Sequence, residues 1–91
     1  MWSKIRARRE QWRPVLDAEL QRWAAKSCEE LISELADVQA YEVEMSSKNY
    51  NVEVEVLENT AAYVNVIVAV DDGTLPASIR PLSETFLRRK E

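Results

Sequence analysis

The sequence predicts an α+β fold: one long N-terminal helix packed in two layers on an antiparallel β-meander of three to four strands, followed by a short C-terminal helix or strand. Three observations predict it. Apolar residues recur at intervals of three and four from Pro14 to Val38, the period of a helix with one buried stripe. From Tyr41 the interval changes to two and stays so to Val70, the period of half-buried strands. Turn-forming clusters at residues 47–50, 58–60 and 71–73 divide that second region. With 91 residues, 46% of them hydrophobic, the chain is expected to form one domain, 1–91, around a single core. Its parts are a basic arm over 1–12, a helix over 13–38, a meander over 40–72 and a C-terminal element over 74–91.

Within the arm, residues 3–12 read as a helical turn or two capped by Ser3, with Trp2, Ile5 and Trp12 on one side. Trp12 beside Pro14 suggests that the arm is docked. Pro14 suits the first turn of the helix, where its missing N–H costs nothing. Leu16, Leu20, Trp23, Ala24, Leu31, Leu35 and Val38 form the apolar stripe. Ser27 and Glu30 have the spacing of a capping box. The stripe keeps phase across them, so one long helix, bent at that point, is expected.

In the first hairpin, Tyr41, Val43 and Met45 alternate with Glu42 and Glu44, and Val52, Val54 and Val56 alternate with Glu53 and Glu55. A turn centred on residues 47–50 sets Met45 opposite Val52, Val43 opposite Val54 and Tyr41 opposite Val56. It also sets Glu44 against Glu53 and Glu42 against Glu55. A third strand from Ala62 to Val70 carries valine at 64, 66, 68 and 70. It is expected to align Val56 with Val64 and Val54 with Val66. Asp71-Asp72-Gly73 turns the chain on its only glycine. Thr74 to Arg80 suits a short edge strand, where Pro76 is tolerated. Pro81 to Lys90 reads as a helix, on the spacing of Leu82 and Phe86 with Leu87 widening the face, or else as a fourth strand. The order of elements resembles cystatin-like architecture in outline, one helix wrapped by consecutive antiparallel strands. That resemblance is of shape and implies no activity.

The net charge of −4 is unevenly spread. Residues 1–26 carry seven basic against three acidic side chains (+4), residues 27–79 one against eleven (−10), and residues 80–91 four against two (+2). Basic ends around an acidic middle favour ends that fold back, or copies that pair. Directly opposed glutamates destabilise a ribbon by up to about 1 kcal/mol per pair, and salt screens exposed charges over about 8 Å. The simplest account of Glu42, Glu44, Glu53 and Glu55 is therefore a solvated outer face that discourages aggregation. Tyr63 and Ile67 share that face, however, and an acidic strip beside an apolar one suits contact with another protein. Arg6, Arg8, Arg9, Arg88 and Arg89 are the basic groups that could meet it.

Several chemistries are excluded. Without histidine, no Ser-His, Cys-His or His-containing zinc constellation can form. A single glycine rules out Gly-rich phosphate loops. Four carboxylates on adjacent strands offer oxygen ligands of the kind Ca²⁺ or Mg²⁺ takes, but strand carboxylates two residues apart seldom converge on one ion, and no EF-hand spacing occurs. No catalytic residue, metal or cofactor is expected. "WSKIRARREQWR" interleaves basic residues with tryptophan, a pattern met in nucleic-acid and membrane binders. The acidic body would repel polyanions, and the arm reads more simply as a solvated helix with its tryptophans packed. Neither nucleic acid nor membrane is expected as a partner. Cys28 has no internal disulfide partner and reads as a small packed hydrophobe. With no signal-like segment, a cytoplasmic setting is expected. The functional expectation is a small non-enzymatic protein-interaction module that self-associates, most simply as a dimer. The alternative is a binding protein for a small apolar or cationic ligand between helix and sheet, lined by Trp23, Tyr41, Tyr50 and Tyr63.

Overall fold

The computed structural model describes residues 9–73 and 81–90. A bent helical segment precedes a four-stranded antiparallel sheet, the α+β class expected. After a helical turn at 9–11 come α1 (Arg13–Ala24) and α2 (Cys28–Glu34), then β1 (Gln39–Met45), β2 (Lys48–Asn59), β3 (Tyr63–Asp71) and β4 (Leu82–Arg89). The strands lie in sequence order, β1-β2-β3-β4. No helix among the described residues is long and apolar enough to cross a membrane. The expected cap at Ser3, the packing of Trp2 and Ile5, and the edge strand over 74–80 lie outside the described residues.

The helix expected over 13–38 is broken at residues 25–27 and ends at Glu34. Ser27 is extended there (φ −73°, ψ 164°), and its hydroxyl accepts from the Glu30 N–H at 3.1 Å. Glu30 returns the bond, accepting from the Ser27 N–H at 3.1 Å. This reciprocal cap satisfies donors that open at a new helix start. Lys26 and Glu34 span the break at 3.1 Å. The bend brings Leu31 and Leu35 onto the core, while Val38, which the expected stripe included, falls outside the helix and is exposed. Trp12, docked as expected, Val15, Leu16 and Trp23 complete the helical contribution. They meet Tyr50, Val52 and Val54 of β2 and Val64, Val66, Val68 and Val70 of β3 in one core.

The first hairpin differs from expectation. Its turn is Ser46-Ser47, both with positive φ (54° and 65°). A two-residue turn of that hand matches the right-handed twist of the flanking strands. Val43 therefore pairs with Tyr50 instead of Val54, and Tyr41 with Val52 instead of Val56. Glu44 stands opposite Asn49, Glu42 opposite Asn51, and Glu53 opposite Ala40, so the expected glutamate–glutamate pairs do not form. The offset, 54 − 50 = 4, is even, so every side chain keeps its face while changing its neighbour. Asparagine opposite glutamate removes the like-charge repulsion that the expected register carried.

Between β2 and β3 the valines unite as expected but two residues further along, Val54 with Val68 and Val56 with Val66. The register then shifts between Val56 and Glu58, leaving Leu57 as the extra residue of a bulge. The C-terminal segment is a strand, not the helix its spacing suggested. Leu82 pairs with Val70 and Phe86 with Val66. Their separation of four is also a multiple of two, and β3 would otherwise leave a long row of unpaired backbone groups.

Candidate protein-interaction face

Residues opposite one another in an antiparallel pair project to the same face. The faces can therefore be read in rows across the strands. The inner face carries the valines, which share one core with Trp12, Val15, Leu16, Trp23, Leu31 and Leu35. Glu84 and Arg88 also fall on it, opposite Val68 and Val64, and Glu84 meets Arg13 of α1 at 3.3 Å.

The outer face reads, row by row, Glu42–Asn51–Asp71, then Ala40–Glu53–Ala69–Ser83, then Glu55–Ile67–Thr85, then Glu58–Asn65–Leu87, and finally Tyr63–Arg89. Read along the strands, β2 presents Glu53, Glu55 and Glu58, a column of carboxylates. The β3 column is Ala69, Ile67, Asn65 and Tyr63, all half-buried by their neighbours. The β4 column is two hydroxyls, a leucine and an arginine, with no acid. Leu57 and Leu87 are large apolar side chains left 47% and 61% exposed on either side of β3. Glu58 is held by weak bonds from the Tyr63 hydroxyl at 3.4 Å and the Asn65 amide at 3.5 Å. An open groove of about 730 Å³ lies at the end of this face, against Ala62, Tyr63, Leu87, Arg88 and Arg89.

The structure thus brings Glu53, Glu55, Tyr63 and Ile67 together with Arg89 on the outer face. Glu42 and Glu44 lie on the same face but out on the β1 edge. Arg88 belongs to the inner face, where its carbonyl and that of Arg89 accept from the Cys28 thiol at 3.4 and 3.2 Å. Arg9 donates to the Pro81 carbonyl at 3.3 Å. Arg6 and Arg8 lie outside the described residues. Glu58, Ser83, Thr85 and Leu87 were missed because their face depends on the bulge and on β4 being a strand.

The expected ligand lining divides. Tyr50 is buried in the core beside Val43, and Tyr63 is on the outer face. Trp23 and Tyr41 do meet, the Trp23 Nε1–H donating to the Tyr41 hydroxyl at 2.8 Å. That hydroxyl in turn donates to Glu19, a carboxylate that is 8% exposed. Arg22 lies over the rings of Trp23 and Tyr41 at 5.5 and 5.2 Å, and Lys26 over Trp23 at 5.3 Å. Burial first, and then the bond to Glu19, push the Tyr41 hydroxyl up to about 12. The opening beside this cluster, about 310 Å³, is bordered by Arg22, Trp23, Glu34, Gln39 and Tyr41. Among the described residues no three His, Cys, Asp or Glu side chains converge as a metal site. No family model, curated protein or solved structure matches this chain, so the meaning of its outer face rests on the geometry of the face itself.

Proposed function

We propose that the chain is a non-catalytic protein-interaction module whose binding surface is the outer face of the sheet. The frame behind it is a two-layer stack, cystatin-like in outline, with α1 and α2 on the inner side only. The observation that carries this reading is the lateral order of the face: carboxylates on β2, an apolar and amide centre on β3, hydroxyls, Leu87 and Arg89 on β4. What favours binding over solvation alone is the placement of exposed Leu57 and Leu87 on either side of the half-buried β3 column, next to the carboxylates. An interface uses an apolar centre with a polar rim. The ligand-binding alternative is less well supported. Trp23 is 3% exposed, and protein cations already lie over its ring and that of Tyr41, so a cationic guest would have to displace them.

The test compares quantitative capture of bound protein by three immobilised chains: the parent, Leu87→Asp on the outer face, and Ile32→Asp on exposed α2. Charging an apolar hot spot of an interface costs about 2 kcal/mol or more of binding, roughly 30-fold. Leu87→Asp should lose the partner by about that factor while Ile32→Asp keeps it. Equal capture by all three removes the outer face as the binding surface.

A further inference from the structure

We infer that the protein seated on this face is a second copy of the same chain, related by a two-fold axis running along β3. The inference rests on the reading of the outer face as an interaction surface and names its occupant.

Two sheets packing face to face through a two-fold axis in the plane between them have two simple arrangements. An axis across the strands lays β2 of one copy over β2 of the other. That opposes Glu53, Glu55 and Glu58 to the same column of carboxylates, and like charges set against one another in an interface are costly. An axis along β3 exchanges left and right but leaves height along the strand unchanged. It lays β2 over β4 of the second copy, row upon row. The rows then match by chemistry. Glu53 faces Ser83 of the second copy, and Glu55 faces its Thr85. Each carboxylate thus meets a hydroxyl able to donate to it, a charge-assisted bond. Glu58 and the bulge residue Leu57 come over Leu87, and Arg89 lies one row beyond, within the reach of an extended arginine from Glu58. Ile67, in the middle of the middle row, sits on the axis and packs against itself, and Asn65 faces Asn65, an amide able both to donate and to accept.

Each pairing between β2 and β4 occurs twice, and each self-pairing on the axis once, as a two-fold contact requires. The strands of the two sheets run nearly parallel, the aligned mode in which twisted sheets stack at about 30° and about 10 Å apart. Glu42 and Glu44, on β1, lie beyond the overlap. They contribute to the field that steers encounter but not to the contact.

The experiment couples a charge placed on β4 to one placed on β2. Thr85→Glu sets a carboxylate against Glu55 of the second copy and should weaken the dimer at least ~10-fold by sedimentation equilibrium. Adding Glu55→Lys to the same chain restores an opposite-charge pair in both symmetric contacts and should recover that loss. In a Cys28→Ser background, Ile67→Cys should be joined to its twin by a short bismaleimide, whereas Gln21→Cys on the exposed side of α1 should not. Far-UV circular dichroism checks that each variant is folded. A monomer at every concentration overturns the inference. So does a dimer in which Glu55→Lys fails to rescue Thr85→Glu and position 67 does not cross-link. In either case the capture comparison with Leu87→Asp still decides separately whether the face binds protein at all.

Discussion

Tyr41 joins the edge strand to the first helix through two polar partners. Its hydroxyl accepts from Trp23 and donates to Glu19, so replacing it by phenylalanine leaves the buried Trp23 N–H without its acceptor and Glu19 with only its 3.8 Å pairing to Arg22. Such a loss costs about 1–3 kcal/mol, and chemical denaturation of Tyr41→Phe should show it. The pH dependence has a definite sign. Folding raises the hydroxyl from its ordinary 10.0 to about 12, so the folded state favours the neutral form. The corresponding stability is intact below pH 10 and is lost as pH rises through 12. Stability of the parent should therefore fall between those pH values more steeply than that of Tyr41→Phe. This cluster was only half legible in the sequence. Trp23 and Tyr41 stood out as aromatics, but Glu19 did not. The missed signal was its position, three residues after Leu16 and four before Trp23, which places a carboxylate on the buried stripe and so demands a partner.

At the scale of elements, the break between α1 and α2 depends on Ser27. Ser27→Ala removes the side-chain half of the capping box and should lower stability by about 1 kcal/mol in a denaturant melt. A melt unchanged from the parent would mean that the bend is set by Leu31 and Leu35 packing alone. The Ser27 backbone N–H, then its hydroxyl, hold the Glu30 carboxyl below its ordinary value of 4.5, so this contribution is present above that pH and fades as the pH falls. Periodicity revealed where helix gives way to strand, and which residues of β1, of β2 as far as Val56 and of β3 face inward. It did not reveal register. Register depends on which two residues can take positive φ, and two serines do not advertise that as Asn-Gly would. Nor could periodicity decide Leu82 to Arg89, because a spacing of four serves both periods. The neighbour decided it, through the row of backbone groups that β3 offers along its edge.

For the whole molecule, the charge asymmetry legible in the sequence is resolved in two ways. Part is spent internally. Arg13 from the basic N-terminal third reaches Glu84 near the C-terminus, and Lys26 reaches Glu34. The rest becomes a lateral gradient across the outer sheet face, from the acids of β1 and β2 to Arg89 on β4. The sequence displayed four glutamates on one face and suggested basic partners for them. It could not show that Glu42 and Glu44 stand apart at an edge, or that Glu58 joins Glu53 and Glu55 in one column. Those facts follow from a turn two residues long and a bulge one residue wide, neither of which alters the alternation a reader of the sequence sees before residue 57.

The bulge has a genetic consequence. Remove Leu57 and the alternation of β2 runs unbroken, Val56 inward, Glu58 outward, Asn59 inward, each opposite the residue it already faces. The strand can be understood as a regular one carrying a single-codon insertion that the sheet absorbs without reframing anything downstream. An in-frame deletion of that codon is therefore expected to leave circular dichroism and the cross-strand contact of Glu58 with Asn65 in NMR spectra intact. What it takes away is an exposed leucine beside the carboxylate column. The deletant should fold like its parent and pair less well, separating the two by the smallest edit a gene allows.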